Sequence, residues 1–216
     1  MQRSTRTPAR RTPRSVWLRV QETLRASGPA GLLFLVLSDL GYRRVLLLER
    51  RLDGPIAPVP CELRLAFARL EKAQIDEYLE FYEGDDRAQL EARFARGDTG
   101  FVARHEGRIV CTSWAARGEH HIRFVDHRYP VGASEVYLYD SYTDPALRGR
   151  SVAPALGVFV LEQLRGEGVS RVTMAVTPEN TANRRARAKT GFRVFGRIAC
   201  LRFAGRTFHR QRGVPV

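Results

Sequence analysis

The stretch from residue 135 to residue 165 constrains the fold most strongly, because it predicts a strand, a turn and a helix in direct succession. Glu135 to Thr143 is rich in aromatic and β-branched residues, as strands are, and Ser151 to Arg165 has helical periodicity. The turn between them, Leu147 to Pro154 (LRGRSVAP), lies where free backbone N–H groups and a helix dipole meet an anion. An alternation of this kind is typical of an α/β chain.

Five residues of this turn support an anion-binding interpretation. Gly149 lets the backbone approach a ligand closely, and Arg148 and Arg150 beside it supply charge-assisted donors for a pyrophosphate. Ser151 offers a hydroxyl donor, and Ala153 is small enough for close approach. Loops with a single glycine are common, so a phosphate site and a basic, solvated helix start both fit these residues.

The pattern after Cys61 predicts an α/β (α+β) domain with the element order β, α, α, β, β, β, α, β, α, β. Strands are predicted at 63–67, 100–105, 108–115, 135–143, 172–176 and 192–203, and helices at 70–83, 86–96, 151–165 and 181–189. Residues 117–133 show neither period and are predicted to be irregular. The domain division that follows is a tail at 1–14, an extension at 15–60, the main domain at 61–204 and a C-terminal tail at 205–216.

The net charge of the chain indicates which classes of partner it attracts. The net charge is +13, and residues 1–60 carry +7 of it, so more than half of the excess lies in little more than a quarter of the chain. A surface this basic attracts anions such as CoA, acyl-carrier proteins, nucleic acid or acidic lipid. The histidines and cysteines show no metal-ligand spacing, so no metal is predicted.

The N-terminal segment leaves two alternatives open. Residues 1–14 hold five arginines and no acid and are predicted to be disordered, as a solvated tail or an anion-seeking arm. Helices are predicted at 15–26 and 32–40 and a strand at 45–48, followed by a proline-rich linker. This segment either packs on the main domain or makes a peripheral membrane contact through residues 15–48.

The remaining features predict a cytoplasmic protein. No apolar run reaches the length of a membrane-spanning helix, and no signal peptide is recognisable at the N-terminus. Three cysteines at unrelated spacings indicate free thiols in a reducing compartment.

Residues 61–204 resemble the GNAT superfamily of acetyl-CoA-dependent N-acyltransferases in two motifs. The family's pyrophosphate loop, Arg/Gln-x-x-Gly-x-Gly/Ala, is matched by the segment from Arg148 to Ala153, where Ser151 replaces a glycine. A second motif, Asn-x-x-Ala with Tyr and Lys before Gly-Phe, is matched by NTANRRARAKTGF. In that segment Asn183 replaces the usual small residue and Arg187 takes the usual place of tyrosine. The resemblance implies a mixed, mostly antiparallel sheet with helices on both faces.

The resemblance also implies an activity and a co-substrate. The expected reaction transfers acetyl from acetyl-CoA, or another acyl-CoA, to a primary amine of a small molecule or peptide. The residues expected to hold CoA are Tyr142 and Thr143 through their main chain, together with Arg148, Gly149, Arg150, Ser151, Val152, Ala153, Asn180, Asn183 and Arg187.

Three residues are candidates for the chemistry of this reaction. A carboxylate usually deprotonates the amine, and Glu135 lies where many relatives carry such a base. Asp140 is the rival base, with a structural acceptor role as its alternative. Tyr139 is a substitute for the missing acid, because an arginine at position 187 does not give up a proton.

Other classes of protein remain open from the sequence. The first alternative is a non-catalytic acyl-CoA binder. The second is an arginine-rich nucleic-acid binder, suggested by NRRARAK and the basic tail. The third is an acyltransferase with an acyl-carrier-protein or aminoacyl-tRNA donor. No nucleic-acid motif is present, which counts against the second of these. The sequence does not indicate an oligomeric state.

Overall fold

The computed structural model describes residues 41–213, which form ten strands and four α-helices. The strands are β1 Tyr42–Arg51, β2 Ala66–Arg69, β3 Thr99–His105, β4 Arg108–Ala116, β5 Glu119–Ile122, β6 His127–Pro130, β7 Glu135–Thr143, β8 Arg171–Val176, β9 Arg193–Phe203 and β10 Arg206–Gly213. The helices are α1 Ile75–Phe81, α2 Arg87–Ala95, α3 Val152–Gly166 and α4 Thr181–Lys189. Short 3₁₀ turns at Lys72–Gln74 and Pro145–Leu147 precede α1 and the loop before α3.

Eight strands form one sheet in the order β10-β9-β1-β8-β7-β4-β3-β2, and β5 and β6 form a separate hairpin. Within the described residues only β7 and β8 pair in parallel, and every other pairing is antiparallel. The predicted mixed, mostly antiparallel fold is therefore confirmed.

Helices cover both faces of the sheet because alternate strand residues point to opposite sides. On one face, Leu156 and Leu161 of α3 pack against Phe101 of β3 and Leu138 of β7 in the largest apolar cluster. On the other face, the buried side chains of α1 and α2 form a cluster with Trp114 of β4. Strand β7 lies between the two clusters, because Leu138 belongs to the first and Tyr139 packs against the second.

Strand β1 comes from the segment predicted as an extension. Its predicted core, 45–48, lies inside a longer strand that is hydrogen-bonded to β8 on one side and β9 on the other. Residues 206–213, in the predicted C-terminal tail, form the edge strand β10. The predictions for residues 1–40, which include the disordered tail, two helices and most of the membrane-contact segment, lie outside the described residues.

Two local predictions were wrong. Residues 117–133 are not irregular, because β5 and β6 pair from Glu119 with Pro130 to Ile122 with His127. Each strand has only four residues, too few for a periodic pattern to be recognised. The strand predicted at 63–67 begins only at Ala66, because Leu63 and Leu65 pack against the core without a partner strand.

Among residues 41–213, no helix combines the length and the apolar character that crossing a membrane requires. The bounds of α2, α3 and α4 agree with the predicted helices to within one residue at each end. The helix predicted at 70–83 is shorter, because the chain first makes a 3₁₀ turn and α1 begins at Ile75.

Candidate functional site

The sheet opens between β7 and β8, and a cleft lies at this opening. The two strands pair in parallel from Glu135 with Arg171 to Leu138 with Met174. Beyond that point both strands continue but no longer pair with each other. The cleft at this opening has a volume of about 670 Å³ and is lined by both strands and by the β5–β6 hairpin. Open edges of this kind at the ends of parallel strands are common ligand sites.

A β-bulge in β7 accounts for the opening. Tyr139 lies opposite Trp114 of β4 and Tyr142 lies opposite Thr112, so two residues of β7 oppose a single residue of β4. One of these two, Asp140, has a φ of +43°, in the left-handed region. A bulge bends its strand and increases its twist, so the end of β7 turns away from β8.

The bulged end of β7 offers a backbone donor to the cleft side. Asp144 donates its amide N–H to the carbonyl oxygen of Val110 over 2.9 Å, and the next pair inward is Thr143 with Cys111. Hydrogen-bonded and non-hydrogen-bonded pairs alternate in antiparallel strands. The pair of Thr143 with Cys111 is therefore not hydrogen-bonded, and the N–H of Thr143 points away from β4. Tyr142 belongs to the next hydrogen-bonded pair, so its N–H points toward β4.

The loop between β7 and α3 has the backbone of an anion-binding turn. Gly149 has a φ of +87° and Ser151 a φ of +63°, so two nearly adjacent residues are left-handed. Successive turns of this type direct main-chain N–H groups toward a common point. A Cβ at position 149 would have no atom within 4 Å, so glycine is required there for its φ and not for space.

Side chains around the loop complete a basic surface. Arg148 donates from Nε to the carbonyl oxygen of Thr143 at 3.3 Å, and its guanidinium lies 5.8 Å from the ring centre of Tyr142. Arg150 is exposed. Lys189 at the end of α4 donates from Nζ to Oγ of Ser151 at 3.2 Å, so it adds a third cation. The functional candidates from the sequence did not include Lys189, although the second motif contains it.

Residues Val152 and Ala153 begin helix α3. Val152 is buried and Ala153 is half-buried, so both side chains point toward the core. Their backbone N–H groups therefore face the loop. The amides at the start of a helix have no acceptor within the helix. Pro154 is the third residue of α3 and has no N–H, so the donors at this end of the helix are those of the two residues before it.

A chain of hydrogen bonds joins α4 to the bulge. Asn180 caps α4 by accepting the N–H of Asn183 at 3.0 Å, and Asn183 in turn accepts from Nε of Arg187 at 3.2 Å. Arg187 then donates from Nη2 to Oγ of Ser141 in β7 at 2.8 Å. Arg187 is buried, and burial lowers the pKa of its guanidinium. The predicted residues of α4 therefore converge on the cleft through one network.

The hairpin contributes an aromatic wall to the cleft. The ring centre of His120 lies 4.6 Å from the ring centre of Tyr137 and 4.3 Å from that of Tyr139. Burial lowers the pKa of His120 to about 4, so its imidazole is uncharged at neutral pH. The candidate residues from the sequence did not include His120, and the only signal for it was the His-rich and aromatic composition of 117–133.

Asp140 is the predicted catalytic carboxylate that reaches the cleft. Its side chain is 45% exposed, and it accepts a hydrogen bond from Nη2 of Arg93. The same nitrogen donates to Asp85 at 2.8 Å, and the guanidinium lies 4.9 Å from the ring centre of Trp114. Arg93 is buried and was not predicted from the sequence, because it occupies an ordinary position in an amphipathic helix.

Tyr139 lines the cleft but its hydroxyl is engaged. It donates to Oδ2 of Asp98 at 2.7 Å, and Arg96 donates to the same oxygen at 2.8 Å. Burial raises the pKa of Tyr139 well above its usual value, which disfavours loss of its proton.

The structure does not bring Glu135 to the cleft. Arg171 donates from Nη1 to its carboxylate at 2.9 Å, and the same arginine donates from Nε to Glu49 at 2.8 Å. Glu135 lies at the closed end, where β7 and β8 still pair, and four residues of extended strand place it roughly 13 Å from Tyr139. Tyr137 lies between them on the same face of β7.

Comparisons with known proteins agree with this geometry. The sequence model of the acetyltransferase (GNAT) family matches residues 67–192, more than half of the chain. The chain belongs to this family. No curated protein matches the chain significantly.

Solved structures show the same fold. A GNAT-family acetyltransferase structure from Novosphingobium aromaticivorans has a TM-score of 0.50 and 17% identity, over 74% of this chain and 65% of that one. One from Colwellia psychrerythraea has a TM-score of 0.53 and 16% identity, over 79% and 61%. One from Sphaerobacter thermophilus has a TM-score of 0.51 and 18% identity, over 86% and 57%. This GNAT chain therefore matches less than two thirds of the length of each of these structures.

Proposed function

We propose that this GNAT protein transfers an acyl group, in the first instance acetyl, from acyl-CoA to a primary amine of a small molecule or peptide by direct attack. One observation carries the proposal. The opening between β7 and β8 lies directly before a left-handed loop and the N-terminus of α3, so an anion site and a reaction cleft are continuous along β7.

The residues around the loop fit the pyrophosphate of CoA. Arg148, Arg150 and Lys189 supply positive charge, and the first amides of α3 supply uncompensated N–H donors. The N–H of Thr143 points to the cleft side, where it suits the thioester carbonyl or the pantetheine chain. When bound, acyl-CoA supplies the activated acyl group.

Asp140 is the best-placed base. Its carboxylate is half exposed in the cleft, so it accepts a proton from the incoming ammonium directly or through a water. The hydrogen bond from Arg93 fixes its orientation. Glu135, the other predicted base, is held by Arg171 away from the cleft, so we assign the role to Asp140.

The leaving thiolate requires a positive or hydrogen-bonding neighbour. Ser141 lines the cleft, and its hydroxyl accepts from Arg187, so the hydroxyl proton is free to point to the thiolate or to Ser113 at 2.9 Å. Arg187 does not lose a proton, so its part is to stabilise negative charge on sulfur through Ser141. Tyr139 does not fit the acid role, because its proton is donated to Asp98.

His120 shapes the acceptor side of the cleft. Its uncharged ring, stacked on Tyr137 and tilted against Tyr139, does not repel an approaching ammonium as an imidazolium would. An amine attached to a flat or aliphatic body suits such a wall.

The unpaired state of the three cysteines supports the predicted cytoplasmic location.

The test is release of free thiol from acetyl-CoA, measured with amino acids, aminosugars, polyamines and peptides as acceptors. We expect at least one amine to raise the rate well above the amine-free rate. Acyl-CoA binding seen by calorimetry, with no thiol release for any amine, would instead support a non-catalytic acyl-CoA binder. Heat with RNA but none with acyl-CoA would support the nucleic-acid alternative, and activity only with an acyl-carrier protein or an aminoacyl-tRNA would change the donor.

A further inference from the structure

One face of the β9–β10 hairpin combines exposed apolar and cationic side chains. Along each strand alternate residues share a face, and cross-strand partners such as Leu201 with Phe208 share it too. We call this surface the outer hairpin face. It consists of Leu201, Phe203 and Phe208 with Arg197, Arg206, Arg210 and Arg212.

The apolar members of the outer hairpin face are unusually open to solvent. Phe203 is 72% exposed, Phe208 55% and Leu201 45%. On the opposite face of β9, Ile198 and Cys200 are buried in the core. The exposure therefore belongs to one face of a well-packed strand, and exposed apolar clusters of this kind mark interaction sites.

The positive charge of the outer hairpin face is not neutralised. Residues 193–213 contain six arginines and no acid, in a chain that has 23 acidic residues. Within the part of the chain that the structure describes, none of the four arginines of this face pairs with a carboxylate. The partner that complements this surface is therefore an anion.

The first described residues of the chain lie beside the β9–β10 hairpin. Arg202 donates its N–H to the carbonyl oxygen of Gly41 at 2.9 Å, and Tyr42 is the register partner of Leu201. The sequence GLLFLVL at residues 31–37 ends four residues before Gly41. In the sequence, a second apolar segment therefore lies a few residues before the strand that pairs with β9.

We propose that the outer hairpin face docks this protein on the surface of an anionic lipid bilayer. Arginines bind lipid phosphates, while phenylalanine and leucine side chains enter the boundary between headgroups and acyl chains. Single-stranded nucleic acid could stack on Phe203 and Phe208, but the aliphatic Leu201 beside them suits acyl chains and not bases, so the bilayer is the better match. The docking leaves the cleft between β7 and β8 outside the contact surface, because β1 and β8 separate it from β9 and β10.

The test is sedimentation of the full chain with vesicles of phosphatidylcholine, with and without phosphatidylglycerol. We expect binding only to the anionic vesicles, weakened by salt. The double variant Arg210→Gln/Arg212→Gln should bind about 30-fold more weakly, since each basic residue near the surface contributes roughly fivefold. Phe203→Ser/Phe208→Ser should also weaken binding, whereas Arg108→Gln, an exposed arginine of β4, should not.

Acetyl-CoA affinity, measured on every variant, reports that the fold is intact. Three results would overturn the proposal: no binding of the full chain to anionic vesicles, equal binding to neutral ones, or an equal loss in the Arg108→Gln control. The first is expected if residues 31–37 or a second copy of the chain already cover the face. Binding of a single-stranded RNA oligonucleotide that is lost in the same variants, without vesicle binding, would assign the face to nucleic acid.

Discussion

Arg187 of α4 and Ser141 of β7 are joined by a 2.8 Å hydrogen bond, which connects a buried cation to the strand that borders the cleft. Arginine at this position replaces the tyrosine of the related motif. In the proposed reaction, Arg187 keeps its proton and stabilises the leaving thiolate through the hydroxyl of Ser141.

The first prediction concerns this pair. Arg187→Gln should lower kcat about 100-fold, the order of effect of removing one preorganised donor at developing charge. Arg187→Lys should recover part of kcat, because it restores the charge. Steady-state kinetics and thermal unfolding of both variants, with the exposed Arg185→Gln as control, separate catalysis from stability. A loss of thermal stability with unchanged kcat would mean that Arg187 only supports the fold.

The second prediction concerns Asp140. Asp140→Asn should lower kcat by about 100-fold or more, because the amide does not accept the proton of the amine. Asparagine tolerates the left-handed backbone at this position at least as well as aspartate, so the bulge should be preserved. The rate is measured as thiol release at saturating acetyl-CoA. Unchanged turnover across neutral and alkaline pH would exclude Asp140 as the base.

Glu135 provides the matched comparison. Glu135→Gln should keep kcat within about threefold of the wild type but reduce the free energy of unfolding by about 1 kcal/mol, since its half-buried bond to Arg171 is weakened. Urea unfolding and thiol release on the same preparation give both quantities. A large loss of kcat with an unchanged free energy of unfolding would restore Glu135 as the base.

A third prediction addresses the serine that replaces glycine in the loop. Ser151→Gly should raise the free energy of unfolding by about 1 kcal/mol, because glycine adopts the φ of +63° without the cost that a side chain incurs. Acetyl-CoA should bind about fivefold more weakly, because Lys189 loses its contact with the hydroxyl. Ser151→Ala should show the weaker binding without the gain in stability. Tighter binding of acetyl-CoA to Ser151→Gly would instead mean that the serine crowds the anion.

The fourth prediction is a pH effect on stability. Burial lowers the pKa of His120 from 6.5 to about 4, so the unfolded chain binds more protons than the folded one between these pH values. Stability should therefore fall as the pH decreases through that window, by up to about 3 kcal/mol from this residue. Urea unfolding at a series of pH values should show a smaller fall for His120→Gln. Equal falls in both proteins would contradict the burial of an uncharged imidazole.

Local patterns in the sequence were sufficient to predict most of the elements and the turn before α3. The helix predicted at 181–189 has those bounds in the structure, because a capping asparagine and a following Gly191 are both local signals. The turn from Arg148 to Ala153 was recognised for the same reason, and its residues do lie together at the start of α3.

Long-range pairing decided what the sequence did not contain. Glu135 and Asp140 lie five residues apart on one strand, and no local pattern distinguishes their surroundings. The register of β7 against β8 holds the first beside Arg171, and the bulge against β4 turns the second into the cleft. The position of β1 within the sheet and the placement of His120 depend likewise on contacts between residues far apart in the chain. The sequence by itself thus determined most of the helices and strands and the chemistry available, because those depend on neighbouring residues, whereas the tertiary structure decided which carboxylate, cation and ring share one cleft.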